Sequence, residues 1–192
     1  MSSWRVQFGA ELPFVVVQLP GFGPTPIAPV ESGWSEVREA QRRAVDLDPH
    51  TAPAVTIDLG ERDDIHPVNK REVGLRIARA LRRVAYGEAI VPTGPAVRSA
   101  SLEPGRVVVS FRDLEGRLVT YSSSQATGFE LCGAATGTCR FVTGTVEGDR
   151  VVIPTNDVTP PARLRFCWGG SPVCNLSDGS DLPVGPFEVA LR

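Results

Sequence analysis

The pattern of apolar residues changes character near residue 90, and that change limits the folds open to the chain. Before it, strand-like and helix-like stretches alternate. Leu12-Pro13-Phe14-Val15-Val16-Val17-Gln18-Leu19 is a continuous apolar, β-branched run of the kind buried on both faces in a parallel sheet. A Gly- and Pro-rich loop, Pro20 to Pro29, follows, and either Ser32 or Ser35 is placed to cap a helix running through Trp34, Val37, Ala40, Gln41 and Ala44. Ala54-Val55-Thr56-Ile57-Asp58-Leu59 reads as a second buried strand ending at Gly60. The spacing predicts a helix over Asn69 to Tyr86: Val73, Ile77, Ala80, Leu81 and Val84 fall on one face, and Gly87 ends it. Arg71, Arg76, Arg79, Arg82 and Arg83 fill the rest. This strand-helix-strand-helix order implies an α/β layer with a parallel sheet.

From about Val91 the signals are short strands and turns. Arg106 to Phe111, Leu118 to Tyr121, Gly128 to Leu131, Phe141-Val142, Arg150 to Ile153 and Ala162 to Phe166 read as strands, separated by turns such as Glu115-Gly116 and Glu147-Gly148-Asp149. Such spacing indicates a β-sandwich-like module. The expected organisation is therefore an α/β segment over residues 1–90 and a β-rich module over residues 91–192, and 192 residues are enough to bury a core in each.

Composition narrows the function classes. The formal net charge is −2 and the basic residues form no long patch, so nothing points to nucleic acid. The longest apolar run, Phe14 to Val17, is too short for a bilayer, so no membrane partner is expected. No secretory signal is legible after Met1-Ser2-Ser3-Trp4-Arg5. Cys132, Cys139, Cys167 and Cys174 form two pairs with six residues inside each. Neither pair is a CxxC, which disfavours zinc-ribbon and thioredoxin-like readings. Local disulfides of an oxidising compartment and buried free thiols are the two alternatives. Disulfides would mean an exported protein, secreted or periplasmic.

Chemistry concentrates in Asp58-Leu59-Gly60-Glu61-Arg62-Asp63-Asp64-Ile65-His66-Pro67. A strand delivers this loop and a helix starts just after it, and ligands of open α/β sheets bind at the carboxyl ends of strands. Histidine moves protons near neutral pH, and a carboxylate on one ring nitrogen leaves the other to act as general base. Asp63, three residues before His66, and Asp64, two before it, are both in reach. Pro67 suits a first helical position. The competing reading is an exposed polar loop whose acids favour a helix N-terminus. A metal site is disfavoured, because the other histidine, His50, lies in a Pro-flanked loop with no evident pairing.

From Trp4 to Gly87 the chain resembles the C-terminal part of the catalytic domain of the sialate O-acetylesterase-like family of SGNH hydrolases. The resemblance rests on Leu12-Pro13-Phe14 with Val17-Gln18-Leu19-Pro20, on Trp34 with Arg38-Glu39-Ala40-Gln41, on Ala54 to Asp58, and most sharply on Asp64-Ile65-His66-Pro67 with Asn69-Lys70, Val73-Gly74 and Arg76. It continues through Gly94-Pro95, Val107 to Phe111, Gly128-Phe129-Glu130, Trp168 with Pro172, Asn175-Leu176, Leu182-Pro183 and Pro186-Phe187. It implies a flavodoxin-like three-layer α/β domain joined to the β-sandwich-like module. The implied reaction is hydrolysis of acetyl esters on sugars, sialic acid or xylan-type polysaccharide. A serine attacks the carbonyl, His66 takes its proton, and oriented donors hold the oxyanion. Asp64 matches the family's Asp-Ile-His-Pro string, Asp63 has the wider superfamily's Asp-x-x-His spacing, and a histidine acting without a close acid is a third arrangement. No cofactor is implied, since this chemistry needs no metal.

The family's nucleophile sits in a Gly-x-Ser-Asn-type segment near the start of its catalytic domain, and no serine here has that context. Ser171 follows Gly169-Gly170 but lies between two cysteines and reads as a turn residue. The implied picture is the C-terminal half of an esterase. Its expected partners are an acetylated carbohydrate and a second chain carrying the N-terminal half, or further copies of itself covering the gap. A reading from another class makes the β-rich module a non-catalytic polysaccharide-binding or scaffolding domain. Trp168, Tyr121 and Phe141 would then stack on sugars, against the alternative that they pack a core.

Overall fold

The computed structural model describes residues 1–192 except Ala10, Asn156, Asp157 and Thr159. A short helix, α1 (Ser2–Phe8), precedes β1 (Phe14–Val17). Helix α2 (Gly33–Asp46) then crosses to β2 (Thr51–Ala54), which pairs parallel to β1 with Phe14 opposite Thr51 and Val17 opposite Ala54. Ser32 is the residue that caps α2: its Oγ accepts the Ser35 N–H at 3.4 Å, while the Ser35 side chain turns inward. Helix α3 (Lys70–Val84) is capped by Asn69, whose Oδ1 accepts from the Glu72 N–H at 3.1 Å. Pro67 therefore lies in the loop ahead of the cap and is not the first helical residue. Both helices pack on the two-stranded sheet.

The second strand is shorter and earlier than the apolar run suggests. It ends at Ala54, although Val55, Thr56 and Ile57 are buried. The last ladder bond runs from the Gln18 N–H to the Ala54 carbonyl, and beyond it the Thr56 hydroxyl takes the Gln18 carbonyl at 2.5 Å. Val55 to Ile57 thus bury their side chains without a strand partner. Among the described residues the parallel sheet has two strands, fewer than a three-layer flavodoxin-like domain calls for.

The β-rich part comprises β3 (Ala96–Glu103), β4 (Arg106–Arg112), β5 (Val119–Thr120), β6 (Ala126–Cys132), β7 (Arg140–Glu147), β8 (Arg150–Pro154), β9 (Arg163–Phe166), β10 (Leu176–Ser177) and β11 (Phe187–Ala190). Seven of these form one sheet in the order β11-β9-β6-β7-β8-β4-β3, and β5 pairs with β10 beside it. The sheet curls until its ends nearly meet: the Leu102 N–H reaches the Arg192 carbonyl at 2.9 Å, and the Arg192 N–H reaches the Ala100 carbonyl at 3.2 Å. The sandwich expectation is corrected in this respect. Strand β7 pairs with β6 through its first half and with β8 through its second, so one nearly closed, barrel-like sheet replaces two facing ones. Short strands at regular spacing are common to both architectures.

Alternation along each strand fills the interior. Val107, Val109 and Phe111 of β4, Val151 and Ile153 of β8, and Leu164 and Phe166 of β9 point in and are almost fully buried. Phe129 lies tilted against Phe166 with ring centres 4.7 Å apart, Phe166 stacks on Phe187 at 5.7 Å, and Phe111 meets Phe187 edge-on at 6.2 Å.

Candidate active site

The segment from Asp58 to Pro67, downstream of β2, is anchored at its first residue. The Asp58 carboxylate receives two bonds from the Arg76 guanidinium, at 2.6 and 2.7 Å, and Arg76 also donates to the Val55 carbonyl at 2.8 Å. A paired, forked contact of this kind fixes direction as well as distance. Arg76 is buried on α3, so the helix start and the loop are set relative to each other before His66 is reached.

Asp64 and His66 come together and Asp63 does not join them. Asp64 Oδ1 accepts the His66 backbone N–H at 2.7 Å and lies 3.0 Å from His66 Nδ1. The backbone bond first, and the ring bond second, hold the Asp64 carboxyl below the usual carboxylate range. It is therefore an anion near neutral pH, and the matching tautomer places the proton on Nδ1 and leaves Nε2 as an acceptor. Asp63 is 93% exposed in its side chain and has Arg62 at 3.8 Å as its ionic neighbour. The His66 side chain is 80% exposed, and among the described residues no partner bonds its Nε2.

Three loops are zipped together behind this pair. The Gly23 N–H donates to the Arg62 carbonyl at 2.8 Å, so the loop after β1 holds the loop that carries His66. Gly60 lies so close to Gly21 that a Cβ on it would sit 2.0 Å from the Gly21 carbonyl oxygen, which admits no side chain there. The Phe22 N–H donates to the Gly170 carbonyl at 3.0 Å, and the Ser35 hydroxyl exchanges bonds with the Gly169 backbone at 2.7 and 3.1 Å.

Arg38 joins all of this. It is completely buried, and its guanidinium donates to the carbonyls of Leu19, Pro20, Gly169 and Gly170. Burial pulls its pKa down to about 10, so it keeps its charge at neutral pH with carbonyl dipoles standing in for a carboxylate. Sequence reasoning assigned Arg38 no role beyond the resemblance. The available signal was spacing: Ser35, Arg38 and Glu39 occupy the buried stripe of α2, and a charge on such a stripe demands partners.

The four cysteines form two disulfides, Cys132–Cys139 and Cys167–Cys174, and the second closes the loop that Arg38 grips. Glu130, Cys132 and Cys139 bring possible metal donors within 4.8 Å of one another, but both sulfurs are spent in the disulfide. His50, given no partner from the sequence, has its Nε2 2.9 Å from a Glu11 carboxylate oxygen. Ser171 lies in the zipped seam, its N–H donating to the Pro24 carbonyl at 3.4 Å.

Of the three aromatic candidates, Trp168 is buried under the Arg165 guanidinium, 4.5 Å above its ring, and serves packing. Tyr121 and Phe141 are exposed. A hollow of about 1010 Å³ lies between the end of α2, β2 and residues 89–97, and no residue of the loop from Asp58 to Pro67 lines it.

No protein-family model matches the chain, and no curated protein matches it. Among solved structures, that of a novel carbohydrate acetylesterase from Xanthomonas citri superposes on 97% of the chain with a TM-score of 0.88 and 36% sequence identity. The chain spans 43% of the length of that protein, so the likeness extends over the α/β part and the β-rich part together while leaving more than half of the larger chain unmatched.

Proposed function

We propose that this chain is the histidine-bearing part of a serine-type carbohydrate O-acetylesterase of the sialate O-acetylesterase-like SGNH kind. The observation that carries the reading is the Asp64–His66 contact on the loop after a parallel strand, in a chain whose fold matches a carbohydrate acetylesterase at 36% identity. Residues 1–90 are the C-terminal part of the catalytic layer and residues 91–192 the β-rich module built against it. His66 Nε2 takes the proton of a serine hydroxyl as that oxygen attacks the acetyl carbonyl. Asp64 holds the Nδ1–H and the imidazolium that forms, and Asp63 stays in solvent. The imidazolium then protonates the departing sugar oxygen. Water, deprotonated by the same nitrogen, splits the acyl-serine to acetate.

The serine comes from further polypeptide that pairs with the free edge of β1. In support, the Phe14 and Gln18 amides point to β2, so by the alternation of a parallel ladder those of Val15 and Val17 point to the opposite edge. That edge ends at Gln41, which bonds the Val17 carbonyl and the Leu19 amide. The two disulfides suit a secreted or periplasmic protein.

The test is acetate release from an aryl acetate and from an acetylated oligosaccharide by the protein together with the polypeptide that completes it. His66→Ala lowers kcat on the order of 10⁴-fold with unchanged circular dichroism, and Asp63→Ala stays near the parent. Undiminished turnover in His66→Ala sinks the reading. The exposed rings of Tyr121 and Phe141 favour a second one, a non-catalytic polysaccharide-binding module, for which sugar retention without turnover is the signature.

A further inference from the structure

Two hollows of about 650 Å³ each open where the β-rich part meets the loops of the α/β part. One begins at Ile57 and Asp58, where the candidate catalytic loop starts, and continues past Tyr121 and Asp181. The other runs between Phe141, Trp168 and Pro26. They share Thr127, Pro172 and Val173, so they are neighbours along one track. An aromatic ring stands exposed in each half: Tyr121 is 47% exposed and Phe141 45% exposed.

Tyr121 is also held ready. Its hydroxyl donates to Asp181, its amide to the Asn175 carbonyl at 3.1 Å, and its own carbonyl accepts from Asn175 Nδ2 at 3.0 Å. A pinned aromatic face loses little freedom when a flat apolar surface settles on it. Ser122, Ser123, Thr127 and Thr143 line the two hollows, and their hydroxyl oxygens can accept from a ligand's own hydroxyls. The charge of the track is one-sided. Among the described residues that line it there is no lysine or arginine, and while Asp58 is paired with Arg76, Asp181 has no cationic partner among them.

We propose that this track binds a neutral, acetylated oligosaccharide chain, several sugar units long, and presents it to the loop carrying His66. The inference rests on the carbohydrate reading above and sharpens it. Alternating apolar faces and hydroxyl edges are what a neutral sugar chain offers to rings flanked by hydroxyls. A sialic acid carries a carboxylate, whose usual forked guanidinium partner is missing from the described lining and whose charge faces Asp181.

Titration calorimetry of the protein with acetylated xylo-oligosaccharides of increasing length, and with an acetylated sialoside, tests it. Affinity is expected to rise with chain length. Phe141→Ala and Tyr121→Ala, both at exposed positions, each weaken the longest oligosaccharide roughly five- to tenfold. The sialoside binds more weakly than a neutral sugar of equal size. Affinity independent of length, indifference to both substitutions, or preference for the sialoside overturns the proposal. Because binding is read without turnover, length-dependent affinity in a protein that releases no acetate even with the polypeptide that completes it upholds the track and fails the esterase reading, and acetate release without length dependence does the reverse.

Discussion

Val107, Val109 and Phe111 of β4 are sealed inside a nearly closed sheet, whereas Phe14 to Val17 of β1, an apolar run of the same kind, holds no fully buried residue and leaves Val17 open to solvent. The β-rich part satisfies its strands from within: seven of them pair in one sheet whose two ends exchange backbone bonds. Among the described residues the α/β part has two paired strands, and β1 pairs on one side only. Apolar, β-branched sequence therefore reports what a strand is built to touch, and the structure reports how much of that is present.

The sharpest way to break this comparison is to cut both halves alike. Phe166→Ala, in the stacked aromatic core, is expected to cost about 3–5 kcal/mol in urea denaturation. Val16→Ala in β1 should cost about 1 kcal/mol or less, since a half-exposed methyl pair loses little contact. Equal losses would mean that β1 is as well packed as the β-rich core.

A second substitution addresses the seam between the halves. Arg38→Met removes the donors of four buried carbonyls and should destabilise by about 3 kcal/mol, with Arg38→Lys failing to restore it because a single ammonium cannot reproduce the fork. Thermal melts of both variants decide it. A melting temperature unchanged in Arg38→Met would show that the halves hold together without this contact.

A smaller effect sharpens the picture of the sealed half. Glu130 is buried, its carboxylate oxygens have no hydrogen-bond partner, and Arg165 is 3.7 Å away. Burial pushes its pKa from 4.5 up to about 7. The folded state thus holds a proton that the unfolded state releases between those values. The stability this contributes is full below pH 4.5 and falls as pH rises toward 7, by at most about 3 kcal/mol. Urea midpoints measured across that interval should decline in the parent and stay flatter in Glu130→Gln. Identical slopes would place the pH dependence elsewhere.

The strands easiest to read were those with clean alternation, such as Arg106 to Phe111. Strand β3 escaped notice because Arg98, Ser99 and Ser101 interrupt its apolar residues and a register shift falls between Val97 and Ser99. Strand β2 was placed too late because Val55 to Ile57 are apolar and buried, and burial without a ladder leaves the same trace as a strand. At the candidate site, the loop and both aspartates were legible, but spacing admits either one to His66. The choice falls to a turn in which Asp64 Oδ1 accepts the His66 backbone and lies against its ring at once, a local geometry with no signature in composition. The seam around Arg38 was illegible for a different reason: its partners are backbone carbonyls, which every sequence possesses.

The contact that closes the sheet joins residues about 90 positions apart in the chain, Leu102 and Arg192. By its sequence separation such a non-local contact is expected to form after the local hairpins between the two strands. Until then β3 and β11 are raw edges, able to pair with another nascent chain. Refolding of the β-rich part is therefore expected to be concentration-sensitive even where its finished state is closed, with higher recovery from denaturant on dilution.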